Sequence, residues 1–379
     1  CIRDRAYLVK TNATNAAHQW VVIFGNGYSS NDAKAVLYIL DLNGTIIRKI
    51  DTGVSGDNGL STPAIIDVNN DQRVDYVYAG DLQGNMWKFD LTATDAANWA
   101  VAFNDGTDPQ PLFAAGQPIT SKPDVMRHCA EHGYMVVFGT GKFLHNDDRA
   151  DVSLQSIYGI WDYGDDDDDD EYLGSFDPNA MQALSNQTIG VTLLEQTIDD
   201  LRTISGHDYR TFSDNSTSWP IIMDTDADQQ PNPLTHAGWY VDFPNTAPYE
   251  GERVFKGVQI RDGKAIVISF IPNLSPCSGG GNSFLYIIDA CDGSRMPEDY
   301  SQFDIGTPGN TIQIGTDVNG DPIMAPPTGK AFVGTLHEPK IIRKPGTGLE
   351  RLYMSSSTGV VETEDLPAER RGMLYWQER

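Results

Sequence analysis

Two segments far apart in the chain share one frame: a short β-rich run, a turn ending in glycine, and a second run closing on Asp-Leu. Asp75–Asp81 leads through Gly84 to Asp90-Leu91, and Leu352–Ser355 leads through Gly359 to Asp365-Leu366. With Gly84 laid on Gly359, the two Asp-Leu pairs coincide without a gap. A glycine at a fixed place marks a hairpin position that needs positive φ. Trp20–Tyr28 and Tyr134–Phe143 carry related β-rich runs followed by small residues. A small sheet cannot bury both of its faces alone, and repetition around an axis supplies the missing contacts. The pattern therefore predicts an all-β chain: a modified β-propeller of short antiparallel four-stranded blades, with loop-rich insertions. Blade-like units fall at about 6–50, 60–92, 118–162, 236–291 and 325–366, and residues 370–379 read as one more strand.

The 36 glycines and 21 prolines lie between short apolar runs, as turns require. Only residues 90–100 and 178–203 could be helical, and a helix near Asn179–Leu184 is the most specific expectation there. All 379 residues read as one propeller domain, interrupted by an irregular insertion at about 162–235. Six adjacent carboxylates, Asp165 to Asp170, repel one another and predict a solvated loop.

The net charge of -26 repels nucleic acids and anionic lipid heads, so neither is an expected partner. No apolar run is long enough to span a bilayer. The four cysteines, Cys1, Cys129, Cys277 and Cys291, form no metal–thiolate spacing and allow three disulfide pairings. A strand expected at Ser283–Ile288 holds Cys277 and Cys291 apart, against a direct bridge between them.

The strongest chemical signal is Asp67-Val68-Asn69-Asn70-Asp71-Gln72-Arg73-Val74-Asp75. Side-chain oxygens at positions one, three, five and nine suit Ca2+, a hard ion that takes six to eight oxygen ligands. Asp67, Asn69, Asp71 and Asp75 are the expected ligands, with the Arg73 carbonyl at position seven. No glutamate stands at position twelve, which is Tyr78, so the loop is not an EF-hand. Asp224, Asp226, Asp228 and Asn232 repeat the spacing and form a possible second metal site. Asp317-Val318-Asn319-Gly320-Asp321 begins the pattern, but Ala325 at position nine makes a turn the better reading.

Several runs, taken in order, resemble the C-terminal domain of the PilY/PilC family of type IV pilus biogenesis and tip adhesin proteins. They are VVIFGNGYSS, GLSTPAIIDVNNDQRVDYVYAGDLQGNMWKFDL, VVFGTGKFL, GWYVDFP, GERV and IPNLSPCSGGGNSFLYIIDA. The resemblance runs from about Trp20 to Trp376, loosely over 145–235. It implies a calcium-binding propeller at the pilus tip, outside a Gram-negative cell. The family supports pilus assembly with minor pilins, controls extension and retraction, and promotes attachment to a surface or host receptor. Its calcium pattern falls on Asp67, Asn69, Asp71, the Arg73 carbonyl and Asp75. The family's first blades and adhesive module do not precede this stretch, so the sequence reads as a piece of a longer protein. Arg261-Asp262-Gly263 reverses the adhesive tripeptide order and reads as a hairpin turn.

Two other classes share parts of the pattern. An integrin-like binding propeller would repeat the calcium loop in successive blades, whereas one clear copy is present. A quinoprotein dehydrogenase would carry an adjacent Cys-Cys pair, and none occurs. There is no GxSxG, HExxH or P-loop, so no enzyme is expected. His128, His132 and His145 read as surface residues, and Trp87, Trp161 and Trp239 as packing residues.

Overall fold

The structure, a computed structural model, describes residues 6–28, 32–163, 172–175, 182–183, 190–199, 201–219, 236–273, 280–297 and 303–368. The chain divides into two compact units: residues 1–142, 160–193 and 218–238 in the first, and 143–159, 194–217 and 239–379 in the second.

In the first unit, β1 (Tyr7–Lys10), β2 (Trp20–Gly25), β3 (Lys34–Leu40) and β4 (Ile46–Ser55) form one four-stranded antiparallel sheet in that order. Next, β5 (Ala64–Ile66), β6 (Tyr76–Gly80) and β7 (Asn85–Asp90) pair antiparallel. Phe113–Ala114 extends this sheet beyond β7, and Gly174–Ser175 pairs parallel to that extension. Alternate residues Val21 and Ile23 of β2 and Leu37 and Ile39 of β3 point inward and meet Val77, Trp87 and Phe89 in one apolar core. The period of two that makes these segments strands is thus also what fills the core.

In the second unit, one sheet runs Arg202–Ile204, His207–Arg210, Gly329–Val333, Asn282–Asp289, Lys264–Ile271, Gln259–Arg261. Lys264–Ile271 is buried along its whole length, and its partner Asn282–Asp289 nearly so. Lys340–Lys344, Leu349–Ser355 and Val361–Pro367 form a three-stranded antiparallel sheet. Leu352, Met354 and Leu366 of that sheet join Ile266, Ile268, Leu285 and Ile287 in the unit's core.

The glycine-ended turns form one device. The first residue's N–H donates to the fifth residue's carbonyl, and the glycine N–H donates back to the first carbonyl. These bonds are 2.9 and 3.2 Å at Asp81–Asn85, 2.9 and 3.1 Å at Asp41–Thr45, and 2.9 and 3.0 Å at Ser356–Val360. Gly84 and Gly359 have φ of 90° and 84°, as their alignment predicts. The Asp41 carboxylate accepts the N–H groups of Asn43 and Thr45 at 2.9 and 2.7 Å, and Asp81 treats Gln83 and Asn85 alike. Asp317–Asp321 has the same bonds, so it is a hairpin turn. Asp262 and Gly263, both at positive φ, form the two-residue turn between Arg261 and Lys264.

Three expectations need correction. Gln182–Ala183 is strand, paired with Gly190–Val191, where a helix near Asn179–Leu184 was expected. Between 90 and 100 the helix is only the 3-10 turn Ala96–Asn98, capped by Asp95. A cap without an apolar stripe to bury does not propagate a helix. His128 is buried rather than on the surface: its ring packs 4.9 Å from Trp161 and 4.3 Å from Trp219. Its Nδ1 accepts the N–H groups of Ala130 and Glu131, and burial pushes its pKa down to about 4. Trp87, Trp161 and Trp239 are fully buried packing residues. Cys129 and Cys291 are each in a disulfide. Cys1, Cys277, Asp165–Asp170 and 370–379 lie outside the described residues.

Each unit also buries a charged cluster. In the first, Lys88 (3% exposed) lies 2.9 Å from Oδ2 of Asp162 (0% exposed). The Tyr78 hydroxyl donates to that same Oδ2, and the Lys88 ammonium sits over the rings of Tyr76 and Phe103 at 4.3 and 5.1 Å. The other oxygen, Asp162 Oδ1, is buried with no hydrogen-bond partner. In the second unit, Arg210 Nη1 lies 2.6 Å from Glu252 Oε2. Glu252 Oε1 accepts from the hydroxyls of Ser269 and Tyr286, and the guanidinium lies 3.9 Å from the Phe284 ring centre.

Candidate metal centre

Asp67–Asp75 connects β5 to β6. Asn70 and Gln72 take positive φ, 62° and 69°, which coils the connection. Coiling aims oxygens at nearby backbone N–H groups. Asp67 accepts from Asp71 N–H through Oδ1 (3.1 Å) and from Gln72 N–H through Oδ2 (2.7 Å). Asn69 Oδ1 accepts from the same Asp71 N–H at 2.9 Å. Asp71 Oδ1 accepts Arg73 N–H at 2.9 Å, and its Oδ2 lies 3.4 Å from Arg73 Nε.

The structure thus brings Asp67, Asn69 and Asp71 onto three successive N–H groups, on the solvent side of the loop. Asp75 stands apart. It is 4% exposed, its Oδ2 accepts Val68 N–H at 2.8 Å, and its Oδ1 accepts Asn12 Nδ2 at 2.9 Å. Among the described residues, no group of three or more His, Cys, Asp or Glu stands where it could hold a metal ion. The donor set itself, three carboxylates, one amide oxygen and one backbone carbonyl, fits calcium in kind. Each of these side-chain oxygens has two lone pairs, and one N–H occupies only one of them. Asp224, Asp226, Asp228 and Asn232 lie outside the described residues.

Two shoulders of the loop escape sequence reasoning. Asn12, 62 residues away from Val74, donates to the Val74 carbonyl at 3.2 Å, and Val74 N–H donates to Lys10 at the end of β1. Arg127, 59 residues from Val68, donates to the Val68 carbonyl at 3.0 Å. Nothing in the local pattern marks either residue, because each acts through a contact made only on folding.

The small antiparallel sheets, their glycine-ended hairpins and the apolar core within each unit define a β-propeller class of protein. A family model described as the PilY1 beta-propeller domain matches residues 7–200, and the chain belongs to that family. The type IV pilus biogenesis factor PilY1 of Pseudomonas aeruginosa PAO1 is 36% identical over 315 residues, covering 77% of this chain and 26% of the relative. A PilY1 homolog of Xylella fastidiosa is 32% identical over 322 residues, covering 79% of this chain and 19% of the relative. The chain thus spans about a quarter, or less, of the curated relatives' length. The crystal structure of the P. aeruginosa PilY1 C-terminal domain superposes with a TM-score of 0.74 at 27% identity, covering 97% of this chain and 72% of that one.

Proposed function

We propose that this chain is the calcium-responsive propeller of a type IV pilus biogenesis factor, acting without enzymatic chemistry at the pilus tip, outside a Gram-negative cell. The observation that carries the reading is the family match across residues 7–200, which includes the whole Asp67–Asp75 connection. On this reading the partners are minor pilins or the tip complex, and the protein supports assembly, extension and retraction, twitching motility, and attachment to a surface or host receptor.

Asp67, Asn69, Asp71, the Arg73 carbonyl and Asp75 would hold the ion, which supplies positive charge to a carboxylate-rich loop. What the chain's own residues supply is coupling. Asp75 is fixed to Asn12, and Val68 to Arg127, so ordering the loop is felt at the end of β1 and in the strand Asp124–Arg127. An ion shifts such an equilibrium only by its differential affinity for the two arrangements.

Calorimetric titration with calcium chloride, paired with thermal melting, tests this. Calcium at about a hundredfold above its Kd should stabilise the chain by about 2.7 kcal/mol. Asp67→Ala should abolish that gain and lower the calcium-free melting temperature only by what its two exposed bonds to the Asp71 and Gln72 N–H groups contribute. Asp75→Asn should lower the calcium-free melting temperature as well, because Asp75 also holds the base of the loop. Equal affinity in wild type and Asp67→Ala would sink the calcium assignment. Failure of the chain to restore piliation, within a full-length relative lacking its own propeller, would sink the pilus assignment separately.

A further inference from the structure

A buried lysine beside a buried carboxylate is normally an ion pair, and the partners of each atom show whether it can be more. Three features of the Lys88–Asp162 pair set it apart. Water is kept away: Lys88 is 3% exposed, Asp162 is 0% exposed, and the rings of Tyr76 and Phe103 cover the ammonium. The carboxylate is lopsided: Oδ2 takes both Lys88 Nζ at 2.9 Å and the Tyr78 hydroxyl, while Oδ1 takes nothing. The amine therefore stands 2.9 Å from the carboxyl oxygen that would leave, and the Tyr78 hydroxyl is already on that oxygen.

We propose that Lys88 and Asp162 condense to an intramolecular amide, joining β7 covalently to the strand Ser156–Asp162. Transfer of a proton from Nζ to Oδ2 across their 2.9 Å contact gives a neutral amine and a neutral acid. Nζ then attacks Cγ and the C–N bond forms. A second proton passes from Nζ to Oδ2, with the Tyr78 hydroxyl donating its own proton to Oδ2 and taking that of Nζ. The Cγ–Oδ2 bond breaks and one water leaves, so an ammonium and a carboxylate become an amide and water. No oxidant, reductant or cofactor enters the balance. Oδ1 remains as the amide oxygen, and an unpartnered neutral carbonyl costs less in a buried site than half of an unpartnered carboxylate. Burial holds the Tyr78 hydroxyl well above its ordinary pKa, which keeps it protonated for the relay. The aromatic cover that excludes water also slows the reverse hydrolysis.

The test is the intact mass of the wild-type chain, denatured and with its disulfides reduced, followed by peptide sequencing by tandem mass spectrometry. The expected mass is one water below that of the linear chain, with a branched peptide joining Lys88 to Asp162. Lys88→Arg should restore the full mass, because a guanidinium does not acylate under these conditions. Tyr78→Phe should slow the appearance of the branched peptide at least tenfold. A wild-type chain of full mass, or a lost water placed elsewhere by sequencing, overturns the proposal. The wild-type result decides it even if a variant fails to fold.

Discussion

The two buried charged clusters use the same parts and leave opposite atoms idle. Each sets a cation over aromatic rings, beside a carboxylate that a tyrosine hydroxyl also reaches. In the second unit Glu252 is saturated, since Ser269 and Tyr286 take one oxygen and Arg210 the other. The idle atom there is Arg210 Nη2. In the first unit the idle atom is a carboxylate oxygen, Asp162 Oδ1. Arginine stays charged and binds through a planar fork, whereas lysine is a compact amine that can act as a nucleophile once neutral. The difference teaches that the identity of the cation and the saturation of the carboxylate separate a permanent ion pair from a reactive one.

The largest effect should come from breaking the saturated cluster. Glu252→Ala leaves the Arg210 guanidinium buried without its counter-charge and should cost about 3–5 kcal/mol. Denaturant unfolding measures this, and a loss below about 1 kcal/mol would show that the cluster is wetter than its burial implies.

Acid should separate the units next. His128 in the first unit has its pKa pushed down to about 4 by burial, against 6.5 for the free side chain. Between those values the unfolded chain binds a proton that the folded chain does not, so stability falls as pH drops from about 6.5 to about 4. In the second unit, a hydrogen bond from Arg261 holds Glu350 below its ordinary 4.5. Its contribution is present above the unfolded value and is lost as pH falls through the lower, folded one. His128→Phe should therefore flatten the upper limb of a pH–stability curve and leave the lower limb in place. A curve unchanged by that substitution would contradict the burial of His128.

The smallest effect compares the twin turns. A methyl group at Gly359 meets nothing within 4 Å, so Gly359→Ala should carry only the positive-φ penalty of about 1–2 kcal/mol. At Gly84 it would approach the backbone of Gln117 to 2.6 Å, and the loss should be larger. Melting of the two variants ranks them, and equal losses would deny the close approach at Gly84.

Much of this was legible in the sequence for a physical reason. Hairpins are local, so alternation around Val21 and Ile23 and the glycines at 84 and 359 carried the strands and turns. The Asp67–Asp71 oxygens were likewise visible, because their partners are backbone groups a few residues on. What lay hidden was non-local. Asp162 stood at the start of an expected loop-rich insertion, yet it is a buried partner of Lys88. Asn12 and Arg127 carry no motif, and their roles exist only once distant segments meet. His128 was misjudged because spacing says nothing about Trp219 closing over it.

The aspartate-headed turns have a consequence for how the chain reaches its native form. Within five residues, the Asp41 and Asp81 carboxylates supply the acceptors that the reversal needs. The bonds that close each reversal lie within its own five residues, so each hairpin can zip on the microsecond scale before the sheets assemble. The slow part of folding is then left to the long-range docking of prefabricated ribbons.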